Sequence, residues 1–153
     1  MVENEIQFIA EIGINHEGSI SHAKELISAA KESGANIAKF QTYKTEKRAS
    51  KRPEIYDILK KSEFSIEKFI EIKDYCEKNE IIFASSPFCI ESAKELDLIK
   101  TTHLKVASFM LTDTKLIEEI IKLKNTNNLY LSTGTCNLEE INYAINITNK
   151  STL

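Results

Sequence analysis

Residues 9–19 read Ile-Ala-Glu-Ile-Gly-Ile-Asn-His-Glu-Gly-Ser, which crowds Glu11, Asn15, His16 and Glu17 around two glycines. The run 6–10, apolar except for Gln7, predicts a buried strand that ends on Glu11. Gly13 and Gly18 allow the following loop to fold back tightly over a ligand. Taken alone, this is equally an ordinary polar link between a strand and a helix. Four later apolar runs make the difference, because they too end in chemistry-bearing residues: Lys39 and Gln41, Ser85 and Ser86, Lys105 and Ser108, Ser132 and Thr133. Ammonium groups supply charge, and hydroxyls and loop amides supply hydrogen bonds, a set that suits a small, polar, anionic ligand. Each residue has a bland explanation, since a strand lysine can snorkel and a serine after a strand is common turn chemistry. Recurrence at five corresponding positions favours a ligand site. Lys39 and Lys105 are expected to converge there, ringed by Ser86, Ser108 and Ser132.

The elements that must position these residues alternate. Strands are predicted over 6–10, 37–40, 81–84, 103–107 and 129–132, and helices over 21–33, 65–78, 90–96, 114–123 and 138–147. Ala23, Leu26, Ile27 and Ala30 form the apolar stripe of the first helix, and Gly34 stands where it should stop. Ser19 or Ser21 is placed to cap its start. Residues 44–63 read as irregular. Strands separated by helices imply right-handed crossovers and a parallel sheet, so the fold class is α/β. Both doubly wound sheets and barrels bind ligands beyond the carboxyl ends of such strands.

Composition bounds the rest. A chain of 153 residues, 42% hydrophobic and 28% charged, fits one globular domain with a useful core. A net charge of -3 argues against sequence-independent nucleic-acid binding, which needs an excess of Lys and Arg. No apolar run approaches a membrane span, and the first residues lack a signal-peptide pattern. Cys76, Cys89 and Cys136 have no metal-type spacing and are expected as reduced thiols in a cytoplasmic protein. Cys136 has no neighbouring base to activate it, and His103 reads as a structural strand histidine. Residues 44–52 carry five basic side chains and one acid, either a basic lid over an anionic substrate or, the favoured reading, a solvated loop.

Five motifs together resemble the amino-terminal half of the sialic acid synthase family, the N-acetylneuraminate, pseudaminate and legionaminate synthases. They are residues 9–18, Lys39-Phe40-Gln41-Thr42, Ser85-Ser86-Pro87-Phe88, Leu104-Lys105-Val106-Ala107-Ser108 and Leu131-Ser132-Thr133-Gly134, in the family's order and spacing. The resemblance covers about residues 6–148. It implies the first five units of a TIM-type (β/α)8 barrel, incomplete in this chain, as a single partial-barrel domain over 1–153 without the family's antifreeze-like carboxy-terminal domain. The implied chemistry is a transferase reaction of carbohydrate biosynthesis, condensing phosphoenolpyruvate with a 2-acetamido sugar such as N-acetylmannosamine. A divalent metal, Mn2+ or Mg2+, polarises the aldehyde in the complete enzyme. Carried over by position, Lys39, Ser86, Lys105, Ser108 and Ser132 resemble the phosphoenolpyruvate-binding residues. Gln41 would line the same pocket, and Glu11 resembles the acid that contacts the sugar and assists proton transfer.

The chain also departs from the family. Strands six to eight and the two metal-binding histidines fall outside it, and His16, His22 and His103 do not match those histidines. Met110 stands where the family commonly carries an acid, and Phe109 resembles the pseudaminate branch. The isolated chain is therefore expected to be incomplete and inactive, with partners that include phosphoenolpyruvate, an N-acetylated amino sugar, and either further copies or a complementary half-barrel chain. The alternative is a non-catalytic half-barrel binding or assembly module, or a split subunit. A Schiff-base aldolase with Lys105 as nucleophile fits the strand ends less well.

Overall fold

Five apolar runs become five parallel strands because each is followed by an amphipathic helix long enough to carry the chain back to the sheet's starting end. The computed structural model describes residues 6–49 and 53–149. Its order is β1 (Ile9–Gly13), α1 (Ile20–Glu32), β2 (Ile37–Thr42), α2 (Thr45–Arg48), α3 (Pro53–Ser62), α4 (Ile66–Lys78), β3 (Ile82–Pro87), α5 (Ile90–Leu98), β4 (His103–Val106), a 3-10 turn (Ser108–Met110), α6 (Thr114–Ile120), β5 (Asn128–Leu131) and α7 (Leu138–Asn149). The strands lie in sequence order, β1-β2-β3-β4-β5, and every pairing is parallel. This is the α/β, TIM-type succession anticipated from the motifs.

Two boundaries differ in ways that matter. The first three strands run further toward their polar ends than the apolar runs suggest: Glu11 lies inside β1, and Gln41 and Ser86 are directly paired across β2 and β3. Ladder hydrogen bonds join backbones, so the pairing continues past the last apolar side chain. The segment 44–63, read as irregular, contains α2 and α3. Pro53 opens α3 at the position where a missing N–H costs nothing, and Ile55 and Leu59 follow one helical turn apart.

Alternation along each strand divides the sheet into two faces. Ile12, Ala38, Phe40, Phe83, Leu104 and Val106 face the helices and pack with Ala23, Ile27, Phe69, Ile72, Leu96 and Leu116 into one core cluster. Phe40 and Ile27 are fully buried, each stabilising the fold by roughly 1.5–3 kcal/mol relative to exposure. The opposite face carries Glu11, Lys39, Gln41, Ala84, Ser86, His103 and Lys105. Thr42 and Ser85 occupy the helix side, where their hydroxyls hydrogen-bond at 2.8 Å. Ser85 is therefore a structural residue of the helix layer, whereas Ser86 lies on the opposite face beside Lys39.

Caps and turns fix the loops at the carboxyl ends. The Ser19 hydroxyl accepts from the His22 N–H at 3.2 Å and caps α1, and Asp113 caps α6 through the Leu116 N–H. Gly18 has φ +82°, and a Cβ there would sit 2.1 Å from the Lys61 carbonyl oxygen. Only glycine lets the β1–α1 loop pass so close to the end of α3. Beneath that loop His16 is 1% exposed and stacks on Phe64 at 3.9 Å, while its Nδ1 accepts from the Gly18 N–H. Burial, with Lys68 and His22 nearby, lowers its pKa to about 4, so it is neutral at pH 7.

Candidate functional site

Glu11 and Lys39 are direct register partners on β1 and β2, and both project from the face away from the helices. The Lys39 Nζ lies 2.7 Å from Glu11 Oε2 and 3.3 Å from Ser86 Oγ on β3. Lys105, on β4, reaches the other carboxylate oxygen, Oε1, at 2.8 Å. In a flat sheet, side chains three strands apart would rise in parallel from backbones ~14 Å apart. Their contact shows that the sheet curls so that this face is concave. Two cations and one anion thus meet inside the curve, with a net excess of one positive charge.

The cluster is unevenly buried. The Lys39 side chain is 4% exposed, Lys105 27% and Glu11 53%. Burial lowers the Lys39 pKa and Lys105 adds to the effect, while the Glu11 carboxylate opposes both. For Glu11, burial acts to raise the pKa, but hydrogen bonds from Lys105 and Lys39 prevail and hold it below its ordinary value. Glu11 is the counter-ion that makes a nearly buried ammonium tolerable, and it is itself reachable from solvent.

The remaining expected residues sit at their strand ends with other partners. Gln41, two positions beyond Lys39, accepts a hydrogen bond at 2.8 Å from Arg48 on α2. The Ser108 hydroxyl accepts from the Gly134 N–H at 3.3 Å, and its carbonyl accepts from the Cys136 thiol at 3.3 Å, tying the β4 and β5 exits together. Ser132 is held through its backbone N–H, which donates to the Val106 carbonyl at 3.1 Å. Ser86 touches the lysine cluster directly; Ser108 and Ser132 line the next two strand exits. His103 stacks on Tyr130 at a 6.3 Å centroid separation and pairs with Thr102, as suits a structural histidine.

Arg48 is the residue whose role the sequence concealed. Its neighbours Lys44 and Lys47 are paired with Glu95 and Glu91 on α5, so these two form an ion-paired face; Lys51 and Arg52 lie outside the described residues. Arg48 instead turns inward, its guanidinium 4.0 Å from the Phe88 ring centroid and 4.7 Å from that of Tyr43. A basic residue four positions after Lys44 gave no sign of this, because the aromatic partners come from two different strand exits.

Among the described residues, no three His, Cys, Asp or Glu side chains gather as a metal-holding group. Both oxygens of Glu11 are engaged by lysines. These residues do not by themselves fit the divalent metal that the resemblance implies.

The structure defines a partial parallel βα barrel with Lys39, Lys105 and Glu11 clustered on its concave face. Comparison with known proteins gives the family: the NeuB family model matches residues 26–153. The chain belongs to the NeuB family. It is 33% identical to the N,N'-diacetyllegionaminic acid synthase of Campylobacter jejuni over 153 aligned residues, covering 91% of this chain and 45% of that protein. An uncharacterized protein of Methanocaldococcus jannaschii is 40% identical over 139 residues, with 91% and 41% covered. The crystal structure of N-acetylneuraminic acid (sialic acid) synthetase from Leptospira borgpetersenii superposes with a TM-score of 0.93 at 32% identity, covering 97% of this chain and 52% of that one. The chain spans less than half the length of these curated relatives.

Proposed function

We propose that this chain supplies the phosphoenolpyruvate-binding half of a nonulosonic acid synthase site. The single observation that carries the reading is the convergence of Lys39 and Lys105, from strands two apart in the curved sheet, on one exposed carboxylate. A phosphate and carboxylate on one small molecule must be neutralised before their enol can approach an electrophile, and two ammonium groups with a hydroxyl beside them serve that end. Ser86 would hydrogen-bond the ligand next to Lys39, with Ser108 and Ser132 at the neighbouring exits. Gln41 lies further along β2, toward the acceptor.

In the reaction, C3 of the enol bonds to the carbon of the acceptor's open-chain aldehyde, water adds at C2, and the C2–O bond to phosphate breaks to release inorganic phosphate. Glu11 is the one carboxylate in the cluster and the candidate for proton transfer near the aldehyde oxygen. Its engagement by two lysines means that an incoming anion must take its place between them. The acceptor is an N-acetylated amino sugar.

Closing the site falls to structure beyond these five strands. Among the described residues β1 and β5 each pair with one strand only. Ile6 and Phe8 beside β1, and Leu138, Tyr143 and Ile145 on or near α7, are exposed. Such edges suit three further barrel strands, from the same polypeptide or a complementary one. The chain alone is then a weak binder and not a catalyst, because the aldehyde is neither polarised nor shielded from water.

Calorimetry with phosphoenolpyruvate tests this. Weak heat that disappears in Lys39→Ala and in Lys105→Ala is the expected result. Heat that survives both changes would refute the assignment. Phosphate release at enzyme-like rates from this chain alone, in the presence of N-acetylmannosamine and manganese, would refute the division of labour.

A further inference from the structure

A guanidinium offers hydrogen-bond donors and no acceptor, so an amide that pairs with it must present its oxygen. Arg48 Nη1 donates to Gln41 Oε1 at 2.8 Å. That contact settles which end of the Gln41 amide is turned to α2 and which is left for the rest of the site. The Nε2 amino group points back across β1, where a Cβ on Gly13 would lie 3.6 Å from it; glycine leaves that space open. Among the described residues no acceptor takes a hydrogen bond from Gln41 Nε2.

Gln41 is half-buried and is the direct register partner of Ser86, whose hydroxyl lies 3.3 Å from Lys39 Nζ. Its unpaired amino group therefore borders the patch that Lys39 and Ser86 form. The clamp behind it is fixed on several sides. Thr45 and Ala49, which flank Arg48 on α2, are buried, and the guanidinium lies 4.0 Å from the Phe88 ring centroid and 4.7 Å from that of Tyr43. The two ring-bearing strand exits are joined by the Phe88 N–H, which donates to the Thr42 carbonyl at 3.0 Å. Tyr43 in turn donates its hydroxyl to the Leu59 carbonyl at 2.9 Å. Burial lowers the Arg48 pKa, yet an arginine keeps its charge in a folded protein. Among the described residues no carboxylate pairs with Arg48, whereas Lys44 and Lys47 are both ion-paired. Its charge is thus spent on two rings and one amide.

We propose that Arg48 is a positioning residue: it holds the Gln41 amide with its amino group toward the concave face, so that Gln41 donates to an anionic oxygen of the ligand bound at Lys39 and Ser86. The inference rests on the synthase reading above and adds a residue that acts without touching the ligand. Orientation matters because the two ends of an amide have nearly the same shape and opposite polarity. With the amino group inward, a carboxylate or phosphate oxygen gains a donor. With the carbonyl inward, the same oxygen would face a lone pair, and a cationic ligand would be favoured instead. An unrestrained glutamine can turn either way, and a neighbour with donors only excludes the second state. Lys39 and Lys105 supply charge; Gln41, held this way, supplies direction.

The test is a double-mutant cycle on the full chain: parent, Gln41→Ala, Arg48→Met and the double variant, each titrated with phosphoenolpyruvate by NMR, which reads weak affinities. Gln41→Ala should weaken binding about tenfold, the scale of one lost hydrogen bond to a charged group. Arg48→Met should weaken it by no more than Gln41→Ala does, and should change nothing further once residue 41 is alanine. Arg48→Lys keeps a cation with donors only and should restore most of the loss. The Gln41 side-chain amide resonances, assigned by their disappearance in Gln41→Ala, should move with added phosphoenolpyruvate in the parent and in Arg48→Lys, and hardly at all in Arg48→Met. Urea midpoints check folding. Should Arg48→Met not fold, Arg48→Gln takes its place in the cycle, since a neutral amide can face Gln41 with either end. An equal loss from the Arg48 change with and without the Gln41 amide would show that Arg48 acts through its own charge, and would overturn the proposal. Parent-like affinity in Gln41→Ala would overturn it too. No binding of phosphoenolpyruvate by the parent would instead defeat the synthase reading on which the proposal stands.

Discussion

Replacing Glu11 with Gln removes one negative charge from between two ammonium groups and keeps the shape of the side chain. In the free protein this carboxylate is the anion that Lys39 and Lys105 share, at 2.7 and 2.8 Å. A phosphate or carboxylate that enters the cluster must displace it. Because the Glu11 side chain is 53% exposed, each contact is taken at the ~0.5–1 kcal/mol of a solvent-screened pair and not at the value of a buried one. Two such contacts amount to about 1–2 kcal/mol, or about 5- to 30-fold in dissociation constant. Calorimetry with phosphoenolpyruvate and with inorganic phosphate at fixed ionic strength should therefore show tighter binding in Glu11→Gln than in the parent. The advantage should shrink as salt is added, since the displaced contacts are screened. Folding stability should move the other way, because Lys39 loses its counter-ion, and saturating phosphate should recover it. Equal or weaker anion binding in Glu11→Gln would refute the idea that Glu11 occupies the anion site. A Glu11→Gln, Lys39→Met double variant that bound as tightly as Glu11→Gln would show that the anion does not meet Lys39.

Three other predictions concern Lys39, the Gly18 turn and the buried His16. Lys39→Met should abolish phosphate binding yet leave urea stability within about 1 kcal/mol of the parent or raise it, since an apolar side chain replaces a nearly buried cation and Lys105 still pairs with Glu11; a large destabilisation would show that the Lys39 ion pair holds the fold. Gly18→Ala should cost at least 2–3 kcal/mol, roughly the scale of strained backbone plus steric overlap, because the new Cβ would lie 2.1 Å from the Lys61 carbonyl at φ +82°, and equal urea midpoints would contradict this. His16 has a depressed folded pKa of about 4 against an ordinary 6.5, so its contribution is full above pH 6.5 and is lost as pH falls toward 4, up to about 3 kcal/mol at 1.36 kcal/mol per unit. Thermal unfolding across that window should show the loss in the parent and a flatter profile in His16→Phe, whereas parallel profiles would place the titration elsewhere.

Much of the fold follows from local pattern. Apolar runs alternating with amphipathic helices dictated five parallel strands, and Ser19 and Gly34 marked the two ends of α1. The candidate ligand residues were recognisable because parallel strands bring all their carboxyl ends to one side, so that Lys39, Ser86 and Lys105 had to emerge at the same end of the sheet. Helix α3 was missed, since 44–63 read as irregular, although Pro53 followed by Ile55 and Leu59 is a signal that could have marked it. Tertiary structure alone decided three things. Strand pairing carried β2 and β3 past their apolar runs, which set Ser86 on the concave face and turned Ser85 into the helix layer against Thr42. Sheet curvature brought Lys105 to the same carboxylate as Lys39, across three strand spacings that no local sequence signal encodes. And Arg48 became a half-buried cation and not a solvated one because Tyr43 and Phe88, far apart in sequence, present their rings to it at neighbouring strand exits. Local sequence specifies which groups each strand end carries; the twist and curl of the assembled sheet specify which of those groups meet.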